Sequence, residues 1–585
     1  MNDLKWINLT IDDSPVRVPP GTTIMEAAET IGVHIPRLCY DPHLSLQGSC
    51  RVCIVEVEGF PYYMTSCSVE VAEGMKVRTN SPDIRRARRD IVELLLDNHP
   101  RECQTCERDG NCELQRLAYA MGVRERLFEG ERKTFPVDNS GRSVVRDSEK
   151  CILCGRCVRV CSEIQGVHNL SQHGRGFYTV VTPAHGANMD DSVCIQCGQC
   201  INVCPTASLL EQNHTDLVWE ALADPGKHVV VQTAPSIRAA LGEGFGLEPG
   251  TPCTGKMVTA LRRLGFDAVF DTDLGADLTI VEEANEFLHR MKSGPLPMLT
   301  SCSPGWINFL EKFYPELIPN ASTCRSPMTM TSALVKTFYA QTTGRKPEDI
   351  FCVAVMPCVA KKYEAHRPEH RLGEIPMTDA VLTTRELIWM IKSYGIDFTA
   401  LPDGDFDAPL GIASGAGDIF GTTGGVMEAT LRTAEEKLTG RLGRRLEFVE
   451  VRGVEDLREA EVKLGDHTVS VAVANGLVNA KTVLDRVMSG EKQYHIIEIM
   501  ACPGGCVGGG GQPYPPPGYG ILDPRLLAKR ASALYSVDER RAVRRSHENP
   551  ALKVIYDTFL GEPGSEKSRE LLHTSYSPKY PRGIK

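Results

Sequence analysis

The chain carries 22 cysteines in 585 residues, and their spacing defines the chemistry open to it. Fifteen lie between Cys39 and Cys204 in tight groups, the arrangement that holds iron–sulfur clusters. Four more sit far apart in three glycine- or proline-flanked segments: TSCSPGW (300–306), MPCVAKK (356–362) and ACPGGCVGGGGQP (501–513). The first set has the form of an electron wire, the second that of a separate metal site at its end. Disulfides are the competing explanation, but disulfide scaffolds are short secreted chains without room for a large core. This chain is 42% hydrophobic and long enough for about three to five domains.

The opening MNDLKWINLTIDDSP has early acidic residues and no apolar run, so no secretory signal is expected. No segment approaches the roughly 18 apolar residues of a membrane span. Closely spaced thiolates then imply metal in a reducing cytoplasm. The net charge of −10 argues against nonspecific nucleic-acid binding and leaves a redox partner open.

Four ligand groups follow in order. Cys39, Cys50, Cys53 and Cys67, spaced C-x10-C-x2-C-x13-C, suffice for a [2Fe–2S] cluster, with a zinc site as the alternative. Cys103, Cys106 and Cys112 are one thiolate short of a [4Fe–4S] set, and His99 stands just upstream, as either a turn residue beside Pro100 or the missing ligand. C-x2-C-x2-C-x3-C then occurs twice, at 151–161 and 194–204. In this two-cluster pattern the fourth cysteine of each run serves the other cluster. One cluster is expected on Cys151, Cys154, Cys157 and Cys204, the other on Cys194, Cys197, Cys200 and Cys161. Cys253, Cys324 and Cys352 match no ligand spacing and read as small buried hydrophobes.

These ligands need elements to place them. WINLTIDD and VRVPPG form an expected β-hairpin turning at Ser14-Pro15, followed by a short helix in TIMEAAETIGV with a threonine cap. SPDIRRARRDIVELLLDN reads as a helix capped by Ser81, with Ile84, Ile91, Leu94 and Leu95 on one face and its arginines on a wet face. From about residue 228 the pattern becomes α/β. KHVVVQTAPS, PLPMLTSCS, IFCVAVMPC and YHIIEIMAC are strands whose carboxyl ends deliver the isolated cysteines to one pocket. GGCVGGGG lacks the order of a phosphate loop, so its glycines are read as allowing close approach to a cofactor. GEGFG (242–246) is too incomplete for a dinucleotide site.

The three isolated segments resemble the signatures of [FeFe]-hydrogenases, and the resemblance runs from the N-terminus to RRSHENPALKVIYDTFLGEP (544–563). It implies a multi-domain α+β and α/β chain. The expected parts are a β-grasp ferredoxin-like domain (1–80), a [4Fe–4S] domain with one histidine and three cysteines as ligands (81–140), a two-cluster bacterial ferredoxin domain (141–212), an H-cluster domain (213–525) and a helical small-subunit-like tail (526–585). The first two spacings also resemble those of complex I chains, which makes His99 a cluster ligand.

At the reaction site the family implies an H-cluster: a [4Fe–4S] cubane joined through Cys506 to a diiron unit bearing CO, cyanide and a bridging dithiolate. Cys358 and Cys502 become further cubane ligands. Lys361 and groups near Pro235 and Ser236 bind cyanide, and Met356 and Met500 pack around the irons. The implied reaction is reversible heterolytic cleavage of H2. Protons travel by Cys302, Glu283, Ser322, Glu286 and Arg290, although helical spacing also allows the last two and Glu283 to form a solvated face. The family's commonest motif is TSCCPGW, and here Ser303 stands at the second cysteine. Register puts Ser303 on the cubane, ligand chemistry puts Cys302 there, and the sequence leaves both open.

The N-terminal layout resembles catalytic subunits of soluble NAD(P)-linked hydrogenase complexes, bifurcating ones among them. It implies flavin- and NAD(P)-binding and [2Fe–2S] partner subunits, ferredoxin as another partner, and separate proteins that install the diiron unit. A hydrogen sensor and a non-catalytic iron–sulfur scaffold on the same fold are the alternatives.

Overall fold

A computed structural model describes residues 6–125, 128, 130–441 and 445–580. The opening MNDLK and residues 581–585 of the expected tail lie outside them.

The first hairpin pairs Ile7–Ile11 with Ser14–Val18 and turns at Asp12-Asp13, not at Ser14-Pro15. Both aspartates have left-handed backbones (φ 47° and 65°), which short polar side chains tolerate and which the twist of a two-residue hairpin loop favours. Pro15 instead sits in the edge strand of a five-stranded sheet, where a missing N–H costs no ladder bond. The helix Ile24–Thr30 is fixed by a capping box between Thr23 and Glu26 and packs Ile24 and Met25 against Leu9, Val55 and Val77. Ile7–Ile11 also pairs in parallel with Lys76–Arg78, so the sheet wraps the helix as a β-grasp does.

Helix Pro82–Asp97 starts as expected, with the Ser81 hydroxyl accepting from the Ile84 N–H and Pro82 in the first turn. Its buried face differs from expectation. Ile84, Arg88 and Val92 are buried, while Leu94 is 55% exposed. Arg88 is no wet arginine: its guanidinium donates to the Ile54 carbonyl at 2.6 Å and pins the helix to the sheet.

The two cysteine runs repeat one backbone. Leu153 and Gln196, each two residues after the first cysteine, take φ 56° and 61°, and Gly155 and Gly198 take φ 70° and 76°. These left-handed turns aim N–H groups inward: Leu153 N donates to Cys151 Sγ and Gln196 N to Cys194 Sγ, each at 3.4 Å. A two-stranded ribbon of Val144–Arg146 and Leu209–Glu211 closes this domain.

The larger domain holds two four-stranded sheets, a split that the strand patterns do not reveal. One is wholly parallel: Ala268–Asp271, His228–Thr233, Ile350–Met356 and Ala380–Thr383. The other sets Met298–Leu299, Ile496–Met500 and His467–Asn475 in parallel and ends with antiparallel Leu457–Leu464. Helix Thr272–Ser293 is buried along most of its length and packs on Pro327–Leu334 and Gly425–Thr439. The last helices and tail return to this core, and Cys324 bridges His573 across antiparallel backbone.

Candidate metal centres and reaction site

Three small cavities are each walled by four potential ligands. The first is lined by Cys151, Cys154, Cys157 and Cys204, the second by Cys161, Cys194, Cys197 and Cys200. The cross-repeat sets are therefore the ones brought together. The third cavity is lined by His99, Cys103, Cys106 and Cys112. His99 Nδ1 is buried without a hydrogen-bond partner, and burial, helped by Lys150, lowers the ring's pKa to about 4. A neutral imidazole with a free nitrogen facing three thiols has the chemistry of a cluster ligand.

Cys39, Cys50, Cys53 and Cys67 also converge. Hydrogen bonds from Cys50 and Cys67 draw Cys39 down to about 5 and Cys53 down to about 6, while Cys50 and Cys67 are raised in return. Each pair of sulfurs is joined by a hydrogen bond that a bound iron would replace. All four accessory donor sets fit iron–sulfur clusters.

At the carboxyl ends of the catalytic strands, Cys358, Cys502 and Cys506 lie close enough to perturb one another. Burial pushes their thiols up to about 12, 11 and 12. A thiolate there needs a cation beside it, which an iron centre supplies. Ser236 Oγ and Thr233 Oγ1 are buried without partners at the end of His228–Thr233, as polar groups awaiting a ligand would be. Pro235 lies with them and is buried. Lys361 Nζ donates to Glu364 Oε2 at 2.6 Å and to the Cys302 carbonyl at 3.2 Å. These donors fit the H-cluster.

The two methionines separate. Met500 packs with Cys302, Ile280 and Phe420, whereas Met356 belongs to the core around the parallel sheet. Cys302 and Ser303 also part company. Cys302 is buried on the Glu283 side, and Ser303 Oγ accepts from Ala501 N at 3.3 Å, on the loop carrying Cys502. The glycines after Cys506 serve the protein backbone: a Cβ on Gly509 would meet Pro357 O at 2.3 Å, and one on Gly510 would meet Cys197 O at 2.5 Å. Gln199 Nε2 donates to Gly508 O at 3.0 Å and Gln165 Nε2 to Ala501 O at 2.9 Å. The second ferredoxin cavity thus abuts the reaction site.

Outward from Cys302, Glu283 is fully buried, and neither of its oxygens has a partner at hydrogen-bond distance. Desolvation raises its pKa to about 8, with nearby Ser322 opposing the rise and Glu286 adding to it. Ser322 Oγ donates to Glu286 Oε2 at 3.1 Å, and Arg290 Nη2 donates to Glu286 Oε1 at 2.5 Å. Arg290 is itself held by the carbonyls of Pro319, Asn320 and Ala321.

Glu498 and Glu364 are site residues that the sequence reading missed. Glu498 is buried near Cys302 and Cys506, accepts from Gly424 N (2.6 Å) and Met427 N (2.7 Å), and desolvation raises it to about 7. It lies two residues before Met500 in one strand, so period-two alternation puts both on one face.

The fold and these donor sets define an iron–sulfur oxidoreductase with a chain of clusters leading to a buried reaction site. Family models match in sequence order: a 2Fe-2S iron-sulfur cluster binding domain (5–82), the NADH-ubiquinone oxidoreductase-G iron-sulfur binding region (88–126) and a 4Fe-4S dicluster domain (150–208). The C-terminal domain of the iron only hydrogenase large subunit (227–510) and the iron hydrogenase small subunit (524–579) follow. The chain is 48% identical to the NADP-reducing hydrogenase subunit HndD of Solidesulfovibrio fructosivorans, over 98% of this chain and 99% of that one. It is 43% identical to iron hydrogenase 1 of Clostridium pasteurianum, over 95% and 97%. Among solved structures, apo [FeFe]-hydrogenase HydA1 from Chlamydomonas reinhardtii matches with a TM-score of 0.56 and 44% identity, over 63% of this chain and 99% of that one. The chain belongs to the [FeFe]-hydrogenase family. It is an oxidoreductase acting on H2, with one [2Fe–2S] cluster, three accessory [4Fe–4S] clusters and an H-cluster.

Proposed function

We propose that the chain is the hydrogen-reacting subunit of a cytoplasmic NADP-linked complex, passing electrons to separate flavin- and nucleotide-binding subunits. The observation that carries this reading is the packing of the second ferredoxin cavity against the loop of Cys502, which gives electrons a buried exit toward the N-terminal domains. The relation to a subunit of an NADP-reducing hydrogenase supports the choice of acceptor. Ferredoxin is a second acceptor in this reading, and maturation proteins supply the diiron unit.

The H-cluster, when bound, supplies heterolytic cleavage of H2 and its reverse. Cys358, Cys502 and Cys506 hold it, with Ser303 against the Cys502 loop, and Lys361 directs a positive charge toward it. Cys302 is near both Cys506 and Glu283, the place of a group that passes protons from the H-cluster to Glu283. Protonated at neutral pH, Glu283 can both give and receive a proton, Ser322 bridges, and Glu286 meets the surface. Arg290 offers donors and no acceptor, and so acts as a positioning residue for Glu286. Each accessory cavity retains the four ligands that line it.

The test is H2-dependent reduction by the matured, purified chain. It should reduce a viologen but not NADP, and NADP reduction should appear when the partner subunits are added. NADP reduction by the chain alone would overturn the proposal.

A further inference from the structure

Glu286, Cys324 and His573 meet where the C-terminal tail crosses helix Thr272–Ser293, and their ligand atoms all lie within 4.8 Å of one another. A thiol, an imidazole and a carboxylate are the donors that zinc takes, with a fourth tetrahedral position left for water. Tetrahedral bonds of zinc to sulfur and oxygen put those atoms about 3.5 Å apart, and Cys324 Sγ stands 3.8 Å from Glu286 Oε2.

The side chains are already aimed. Arg290 occupies Glu286 Oε1, while Oε2 faces Cys324 and accepts from Ser322 Oγ, Thr323 N and the Thr323 hydroxyl, each at 3.1 Å, donors that a bound cation would displace or share. His573 Nδ1 lies 2.8 Å from that same hydroxyl, while Nε2 lies 3.2 Å from Glu282 Oε2. Glu282 is anchored in turn by Tyr556 OH and Gly564 N. A carboxylate behind the far nitrogen of a histidine is the support that metal-binding imidazoles have.

The backbone holds the group together as well. Arg325 N donates to Leu572 O at 2.8 Å and Thr574 N to Thr323 O at 2.7 Å, flanking the bridge between Cys324 and His573. Burial above all raises the Cys324 thiol, and the facing Glu286 and Glu282 carboxylates add to the rise, an accumulation that a cation would relieve. Thr323 is exposed, and the Glu286 and His573 side chains are 13% and 14% exposed, so solvent reaches the group.

We propose that Glu286, Cys324 and His573 bind one divalent cation of zinc's class, and that the bound cation closes the outer end of the proton route. The second half rests on the relay through Glu286 proposed above. Binding releases the Cys324 thiol proton to solvent and leaves Glu286 unable to take up another.

The test adds zinc chloride to the matured enzyme under anaerobic conditions. Zinc-edge anomalous diffraction should place one ion among the three side chains, and calorimetry should show affinity falling more than about tenfold in Cys324→Ala. His573→Gln should give a comparable loss, which keeps the test decisive if Cys324→Ala does not fold. Hydrogen turnover should fall as the site fills, and Cys324→Ala, measured against its own zinc-free turnover, should need at least about tenfold more zinc for the same fractional inhibition. No zinc at this position, or wild-type affinity in both variants, overturns the site. Zinc bound there with turnover untouched leaves the site standing and overturns the relay through Glu286.

Discussion

Replacing Glu283 with glutamine removes one proton from the proposed route while keeping the side chain's shape. Burial lifts this carboxyl from 4.5 to about 8. Between those values the folded chain holds a proton that the unfolded chain has lost, so the wild type loses stability as pH rises through this window and levels off above it. The whole gap is worth about 5 kcal/mol. Glutamine does not titrate, so Glu283→Gln should melt above the wild type at pH 8, with the difference shrinking toward pH 4.5. Turnover should move the other way. Loss of a positioned proton carrier should lower H2-dependent viologen reduction by about 10²–10⁴-fold, and the limb of the pH–rate profile near pH 8 should disappear. Calorimetry and rate profiles between about pH 6 and pH 9 read both effects. Wild-type turnover in the variant, or a stability difference that ignores pH, would refute the reasoning.

His99→Ala should abolish the paramagnetic signal of one [4Fe–4S] cluster and spare the others. Arg238→Met takes the buried cation from among Asp271, Asp273 and Asp418, leaving them only Arg541 at the edge, and should cost about 3–5 kcal/mol, seen as a lowered melting temperature. Gly510→Ala drives a methyl to 2.5 Å from Cys197 O. It should slow H2-dependent reduction of the accessory clusters in stopped flow while H2/D2 exchange continues, because exchange needs no electron exit.

Ligand identity was legible where chemistry is local. The runs at 151–161 and 194–204 carry their ligands at fixed offsets, and their turns are set by the neighbouring residues. The helix starts at Thr23 and Ser81 were equally readable, because a cap involves only the next few residues. Legibility failed where distant segments decide. Arg88 looks like a surface residue until the Ile54 carbonyl arrives from 34 positions away. The hairpin turn shifted because two aspartates could adopt left-handed backbones, a tolerance that Ser14-Pro15 outweighed on composition alone. Cys324 read as a hydrophobe because its company, Glu286 and His573, comes from a helix before it and a tail nearly 250 residues after it. Glu498 had a readable signal in its alternation with Met500, but no spacing rule names a lone buried carboxylate.

Each half of the ferredoxin repeat lends one sulfur to the other's cavity, Cys161 outward and Cys204 back. Neither half can finish its own coordination shell alone, so the two clusters should be gained and lost as a pair rather than one at a time. The crossing also fixes how far apart they sit. Electron tunnelling falls off exponentially with distance, and a gap set by covalent chain between neighbouring cysteines hardly widens when a domain loosens with heat. The wire's internal step should therefore stay fast at temperatures where packing between domains has begun to slacken.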